Sequence, residues 1–176
     1  MIYKSKEMEK QACLQVAQMM ATAARTAPKG KGLDRLEILV VDGTHKEELA
    51  REMRRIAEKH GQKFFERDAG NVDESLVVLL VGTRNQPAGV KVCGYCGFKD
   101  CEENIRNNGI CAFTTGDLGI ALGSAASIAA DHRCDNRIMF TAGKAAMQLH
   151  YFSDEIMIAY GIPLAVKGKS PYFDRL

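Results

Sequence analysis

Cys93, Cys96, Cys101 and Cys111 carry the chemistry most clearly, at the spacing Cys-x2-Cys-x4-Cys-x9-Cys. Thiolates this dense converge on a metal ion or cluster with the backbone curled round it. Cys93 and Cys96 can serve one centre from a single turn, because two intervening residues let both sulfurs face inward. Gly94 and Gly97 follow them, permitting left-handed backbone and leaving amides free to point at sulfur. Cys101 falls near the start of a short helix expected over Glu102 to Asn107, where amide dipoles favour a thiolate. Cys111, after a turn at Gly109, closes the set. Three readings compete. A [4Fe–4S] cluster takes four thiolates from one compact run and one more distant residue. A structural zinc takes the same four, often as two Cys-x2-Cys knuckles, of which only one is present. Unligated cysteines in a turn are the third reading.

The surrounding chain sets bounds on what such a centre serves. Its 176 residues predict one domain, residues 1–176, carrying an inserted metal-binding loop over 84–112. Hydrophobic residues make up 46%, enough for a core, and 24 basic against 22 acidic side chains leave a net charge of +2. That balance gives no basic field for nucleic acid and favours a small-molecule or protein partner. Met1 to Glu7 leads directly into a charged helix pattern rather than a signal peptide, and the apolar runs are too short to span a bilayer. The expectation is a cytoplasmic protein without a membrane partner, in a compartment where clustered cysteines favour metal over disulfides.

Alternating helices and strands predict a mixed α/β layer architecture. Apolar residues at helical spacing from Met8 to Ala23 give a long amphipathic helix over Ser5 to Ala24, with Cys13 on or beside the stripe. Arg25 to Gly32 breaks it with Pro28 and two glycines, and its three cations suit an anion such as phosphate or simply a solvated turn. Leu36 to Val41 reads as a strand. Thr44 and Glu47 fit a capping box opening a helix that runs to Gly61. Lys63 to Glu66 reads as a short edge strand, and Asp68 to Glu74 as a connection or single helical turn. Leu76 to Gly82, wholly apolar, reads as a central strand. Thr114 to Asp117 opens a helix over Leu118 to Ala130, whose Ala, Gly and Ser content suits close packing within the chain or across a dimer. A helix follows from Met139 to Leu149, and a last strand over Glu155 to Ala159 ends at Gly161-Ile162-Pro163.

Two resemblances add to this reading. Cys93-Gly94-Tyr95-Cys96-Gly97-Phe98-Lys99-Asp100-Cys101 resembles the Cys-Gly-x-Cys-Gly-x-x-x-Cys run of small iron–sulfur domains in electron-transfer and corrinoid-protein subunits. Those domains place their fourth cysteine further along, which makes Cys134 an alternative to Cys111. Ala24 to Gly32 followed by a strand, the helix around Gly119 to Ser124, and the late strand into Pro163 resemble nitroreductase-type flavoproteins. Taken whole, the chain resembles the "ferredoxin domain-containing" proteins of bacteria and archaea. The resemblance implies an α+β, nitroreductase-like three-layer fold, a mixed sheet flanked by helices, with a cysteine-rich insertion. It also implies a [4Fe–4S] cluster, FMN as a second cofactor, and a homodimer with the flavin at the interface. Arg25, Thr26, Lys29 and Lys31 are then the flavin-binding candidates, with Lys167, Lys169 and Arg175 adding phosphate charge. No Arg-Arg-Ser/Thr-x-Arg motif precedes Arg25, and Gly32 stands where those enzymes often carry asparagine.

The function expected is an iron–sulfur redox protein, with three forms to separate. One is a flavin-dependent oxidoreductase acting on a small substrate, another an electron carrier or sensor for a partner protein, and the third a zinc-stabilised binding domain. No residue stands out as a general acid or base: His45, His60, His132 and His150 all read as structural.

Overall fold

The computed structural model describes residues 1–173, so Arg175 lies outside the described residues. The elements run α1 (Ser5–Thr26), β1 (Leu36–Val41), α2 (Gly43–His60), α3 (Lys63–Asp73), β2 (Val77–Arg84), α4 (Cys101–Arg106), α5 (Ala112–Asp131), β3 (Asp135–Asn136), α6 (Phe140–Gln148) and β4 (Ile156–Ala165). A 3-10 turn, Gly30–Gly32, lies between α1 and β1.

Period-two alternation in β2 sets the layers. Val77, Leu79 and Val81 pack beneath α1 and α5 with Ile162 and Leu164. Val78 and Leu80 face α2, α3 and α6 with Ile156 and Ala159. Being buried on both faces, this strand sits inside the sheet, whose order is β1-β2-β4-β3. The arrangement is the expected α+β sandwich of helices, sheet and helices. The sheet itself is antiparallel at every described pairing rather than mixed.

Three local expectations give way to physical causes. Lys63 to Glu66 is the first turn of α3, not an edge strand. Phe65, Ala69 and Val72 recur at helical spacing and all three are buried, with Phe65 edge-on to Phe140 at 5.7 Å. The helix α2 begins at Gly43 with Asp42 as its cap, so Thr44 and Glu47 fall two positions too late for a capping box. The strand β4 continues through Pro163 to Ala165. Leu164 turns its carbonyl to Leu76 on the β2 side, so Pro163 turns its missing N–H toward β3, which is only two residues long. In addition, α5 starts six residues before the expected Leu118, at Ala112 with Cys111 as its cap.

The C-terminal segment is held by specific contacts. Tyr172 is buried, its hydroxyl 2.8 Å from Ser75 Oγ, while Arg137 donates to its carbonyl at 3.1 Å. Lys167 is paired with Glu74. Tyr172→Phe is expected to lower unfolding free energy by about 1 kcal/mol in a denaturant titration, the net worth of one buried hydrogen bond.

Candidate metal centre and adjoining groove

Between β2 and α4 the chain folds as turns, and polar side chains fix its course. Asn85, just beyond β2, donates from Nδ2 to the Gly109 carbonyl at 2.8 Å and accepts the Cys111 N–H on Oδ1 at 3.0 Å. One amide thus ties the entry of the loop to its exit. Gly94 and Gly97 adopt φ of 67° and 84°, the left-handed backbone expected of them, and Gly97 N–H donates to the Gly94 carbonyl at 3.0 Å. Asp100 caps α4 by accepting the Glu103 N–H at 2.8 Å, and Glu103 reaches back to the Lys99 N–H at 2.6 Å. That cap places Cys101 at the first residue of α4.

Cys93, Cys96, Cys101 and Cys111 line one small cavity, walled by Pro87, Ala88, Val90, Asn104 and Phe113. Cys111 is buried, and the other three are half-buried. Burial alone would raise the Cys111 thiol. The N–H groups of Thr114, Ala88 and Phe113 outweigh it and hold the pKa below the ordinary thiol value. Among the described residues, no three His, Cys, Asp or Glu side chains gather tightly enough for a single metal ion.

Cys134 lies elsewhere, buried beside Cys13 in the core under α1 and α5. Burial, with Cys134 adjacent, pushes the Cys13 thiol up to about 12. Both behave as small apolar side chains.

A second, more open groove adjoins the cavity. It is lined by Lys29, Gly30, Tyr95, Phe113, Asp117 and Ile120, and Phe113 faces both spaces. The Tyr95 and Phe113 rings are nearly parallel, 12° apart in tilt with centroids at 6.3 Å. Asp117 Oδ1 accepts the Gly30 N–H at 2.9 Å, and its Oδ2 lies 3.7 Å from the buried Arg35 guanidinium.

Of the four flavin candidates, Lys29 lines this groove and the other three shape the loop beside it. Arg25 pairs with Asp34 and donates to the Leu36 carbonyl at 2.9 Å. Thr26 donates to the Thr22 carbonyl at 3.1 Å. Lys29 Nζ reaches the carbonyls of Arg25 at 2.6 Å and Ala27 at 2.8 Å, closing the C-terminal end of α1. Lys31, at φ 58°, donates to the Ala88 carbonyl at 3.1 Å, which links this loop to the wall of the cysteine cavity. None of the four histidines lines either space.

The Arg25–Asp34 tie carries a pH signature. Partial burial would raise the Asp34 carboxyl, but the hydrogen bond and charge of Arg25 overcome this and hold it below the ordinary range. A depressed carboxylate contributes stability above its unfolded pKa of about 4 and loses it as pH falls through the folded value. Comparing wild type with Asp34→Asn by thermal unfolding should therefore show a small deficit for the variant at pH 6 that shrinks as the pH is lowered below about 4.

Sequence comparison supplies the family. The pattern described as "Uncharacterized protein containing a ferredoxin domain" matches residues 107–175. A protein of Archaeoglobus fulgidus, itself described as uncharacterized, is 41% identical over 184 residues, spanning 99% of this chain and 98% of that one. The chain belongs to this ferredoxin-domain family. Solved structures supply the fold. A nitroreductase with bound FMN from Desulfitobacterium hafniense superposes with a TM-score of 0.59 at 16% identity, covering 92% of this chain and 82% of that one. A BluB-like flavoprotein from Clostridium difficile gives 0.55 at 17%, covering 88% and 81%. This ferredoxin-domain protein has the nitroreductase fold, and a redox role fits both likenesses.

Asn85 and Asn104 were not legible as site residues, because a lone asparagine in a loop or short helix carries no pattern. The one available signal is positional: Asn85 immediately follows the apolar strand that delivers the chain to the cysteines.

Proposed function

We propose that the protein is an iron–sulfur redox protein, a single domain with an inserted loop at 84–112 whose Cys93, Cys96, Cys101 and Cys111 hold a [4Fe–4S] cluster. The observation that carries this reading is that the four spaced cysteines, and not Cys134, line one cavity. The donor chemistry fits. All four are thiols, Cys111 has amides turned toward it, and apolar side chains shield the space. A zinc ion needs every sulfur about 2.3 Å from one atom, whereas each cysteine of a four-iron cluster meets a separate iron. Thiols that share a cavity without gathering on one point suit the cluster better than zinc.

The adjoining groove is the place for FMN in this reading. Its wall of small residues admits a flat ring, since a Cβ added at Gly116 would meet open space. Gly30 and Lys29 present the loop, Asp117 fixes it through the Gly30 N–H, and Tyr95 and Phe113 offer aromatic faces. A cluster would supply single-electron transfer and FMN the coupling of single electrons to two-electron reduction of a small substrate. Gly116, Gly119, Ile120 and Gly123 form an exposed face on α5, where a second copy would pack to give a cytoplasmic homodimer.

A second reading has its own support. The charged groups of Arg25, Lys29 and Lys31 already bond within the chain, which favours an electron carrier or sensor without flavin. Anaerobic purification separates the two. Brown protein bleached by dithionite supports the cluster. Yellow FMN released on acid denaturation supports the flavin enzyme, and brown protein that releases none supports the carrier. Colourless protein containing zinc contradicts both.

A further inference from the structure

Besides Asp100, whose carboxylate caps α4, the wall of the cysteine cavity holds one polar side chain that ligation does not use. Asn104, in α4, is 1% exposed and lines the cavity. Its Nδ2 donates to the Ile110 carbonyl at 3.4 Å, the weak end of the range, and its Oδ1 has no partner among the described residues. A buried acceptor left without a donor is destabilising, so its presence calls for a reason.

The surrounding chain makes room for this amide. A Cβ at Gly109 would sit 2.6 Å from Asn104 Nδ2 and 2.4 Å from the Phe98 ring. Gly109 is not among the residues with positive φ, so glycine is needed there for space and not for backbone conformation. The main chain of Asn104 is fixed as well: its N–H donates to the Asp100 carbonyl at 3.2 Å and its carbonyl accepts the Gly109 N–H at 2.8 Å. The side chain is therefore held between the cap of α4 and the segment leading to Cys111.

The two ends of an amide differ by one proton-bearing atom, and which end is nitrogen is settled by the hydrogen-bond network. Thiolate and sulfide sulfurs are acceptors. Turning the amide by half a turn replaces the unpartnered oxygen with an N–H donor on the same side, and sets Oδ1 toward the Ile110 carbonyl at a separation near the present 3.4 Å, beyond oxygen–oxygen contact. Ile110 is 38% exposed, so water can take its carbonyl instead. We propose that the Asn104 side-chain amide donates a hydrogen bond to sulfur at the four-cysteine site and so makes the centre easier to reduce. The physical reason is charge: reduction adds an electron, and a donor aimed at sulfur stabilises the more negative state.

This inference rests on the cluster reading, and its test keeps the two apart. The full chain is loaded anaerobically with iron and sulfide, and the midpoint potential is read from an optical redox titration. Asn104→Leu removes the amide at similar volume, and Asn104→Asp keeps the shape while removing the N–H. Both variants should retain wild-type iron and sulfide content with a more negative midpoint, Asp lower than Leu because it adds a charge. A variant that loads fully with an unchanged midpoint overturns the proposal. Failure of both variants to load makes Asn104 a packing residue and overturns it equally. Wild type that takes up no iron and sulfide refutes the cluster reading itself.

Discussion

Replacing Cys111 with serine is expected to strip the protein of most of its iron and acid-labile sulfide, while Cys134→Ser leaves both in place. Spacing makes Cys111 the candidate for the fourth position, with Cys134 as its alternative. They differ in surroundings. Cys111 caps α5, lies in the same cavity as Cys93, Cys96 and Cys101, and has three N–H groups lowering its thiol pKa. Cys134 sits against Cys13 in the apolar core, where burial raises its pKa and disfavours a thiolate. Losing a ligand should exceed the roughly 10–100-fold drop in metal affinity typical of removing an outer partner. Cys134→Ser instead buries a hydroxyl and is expected to cost about 1–3 kcal/mol of stability without loss of colour. Metal and sulfide analysis of both variants, purified anaerobically, checks the pair. Colour retained by Cys111→Ser and lost by Cys134→Ser would move the fourth ligand.

The largest effect on folding is expected at Gly143, on α6. A Cβ there would lie 1.9 Å from the Ala159 carbonyl oxygen and 2.5 Å from Tyr160 Cα, both backbone atoms of β4 that cannot turn aside. The neighbouring contact is also close, since a Cβ on Gly161 would meet Ala142 at 2.6 Å. At Gly143 the helix α6 therefore rests directly on the backbone of β4. Gly143→Ala must lift the helix or bend the strand, at the upper end of the about 1–3 kcal/mol typical of overpacking, and beyond it if the layer separates. In a chain of this size that corresponds to a fall of roughly 6–12 °C in Tm. Gly70→Ala, in α3 with nothing near its Cβ, should leave Tm unchanged or slightly raised and serves as the control. Equal Tm values for the two variants would contradict the close approach of α6 and β4.

Much of this was readable before any coordinates. The strand Leu36–Val41 and the long first helix follow from periodicity, and Gly61 ends α2 at φ 64° as a left-handed cap. The cysteine turn was legible because Gly94 and Gly97 permit the left-handed backbone that a tight loop of ligands needs. Other features depend on contacts that no local pattern encodes. The helix α3 opens with Lys63-Phe64-Phe65-Glu66, which reads equally well as strand until Phe65 finds Phe140 across the layer. Pro163 suggests an end to β4 unless it is known that β3 is short. Arg25, Lys29 and Lys31 read as free cations in a glycine-rich loop, yet their charges close a helix end, pair with Asp34 and brace Ala88. The site residues Asn85 and Asn104 are invisible in sequence because their partners are the backbone groups of Gly109, Ile110 and Cys111, reached only after folding.

Two cavities meeting at Phe113 give the fold its functional logic. The nitroreductase scaffold supplies a rigid three-layer body, and the loop beyond β2 adds a compact thiol site against the N-terminal end of α5. Lys31 joins the two by bonding the Ala88 carbonyl, so the loop over 30–32 and the cysteine cavity are mechanically connected.

The central claim is that Cys93, Cys96, Cys101 and Cys111 hold a four-iron cluster. Its most direct test is the amount of iron, acid-labile sulfide and zinc per chain in wild-type protein purified without oxygen. The cluster reading predicts about four iron and four sulfide with little zinc. About one zinc per chain, with no sulfide, would contradict it.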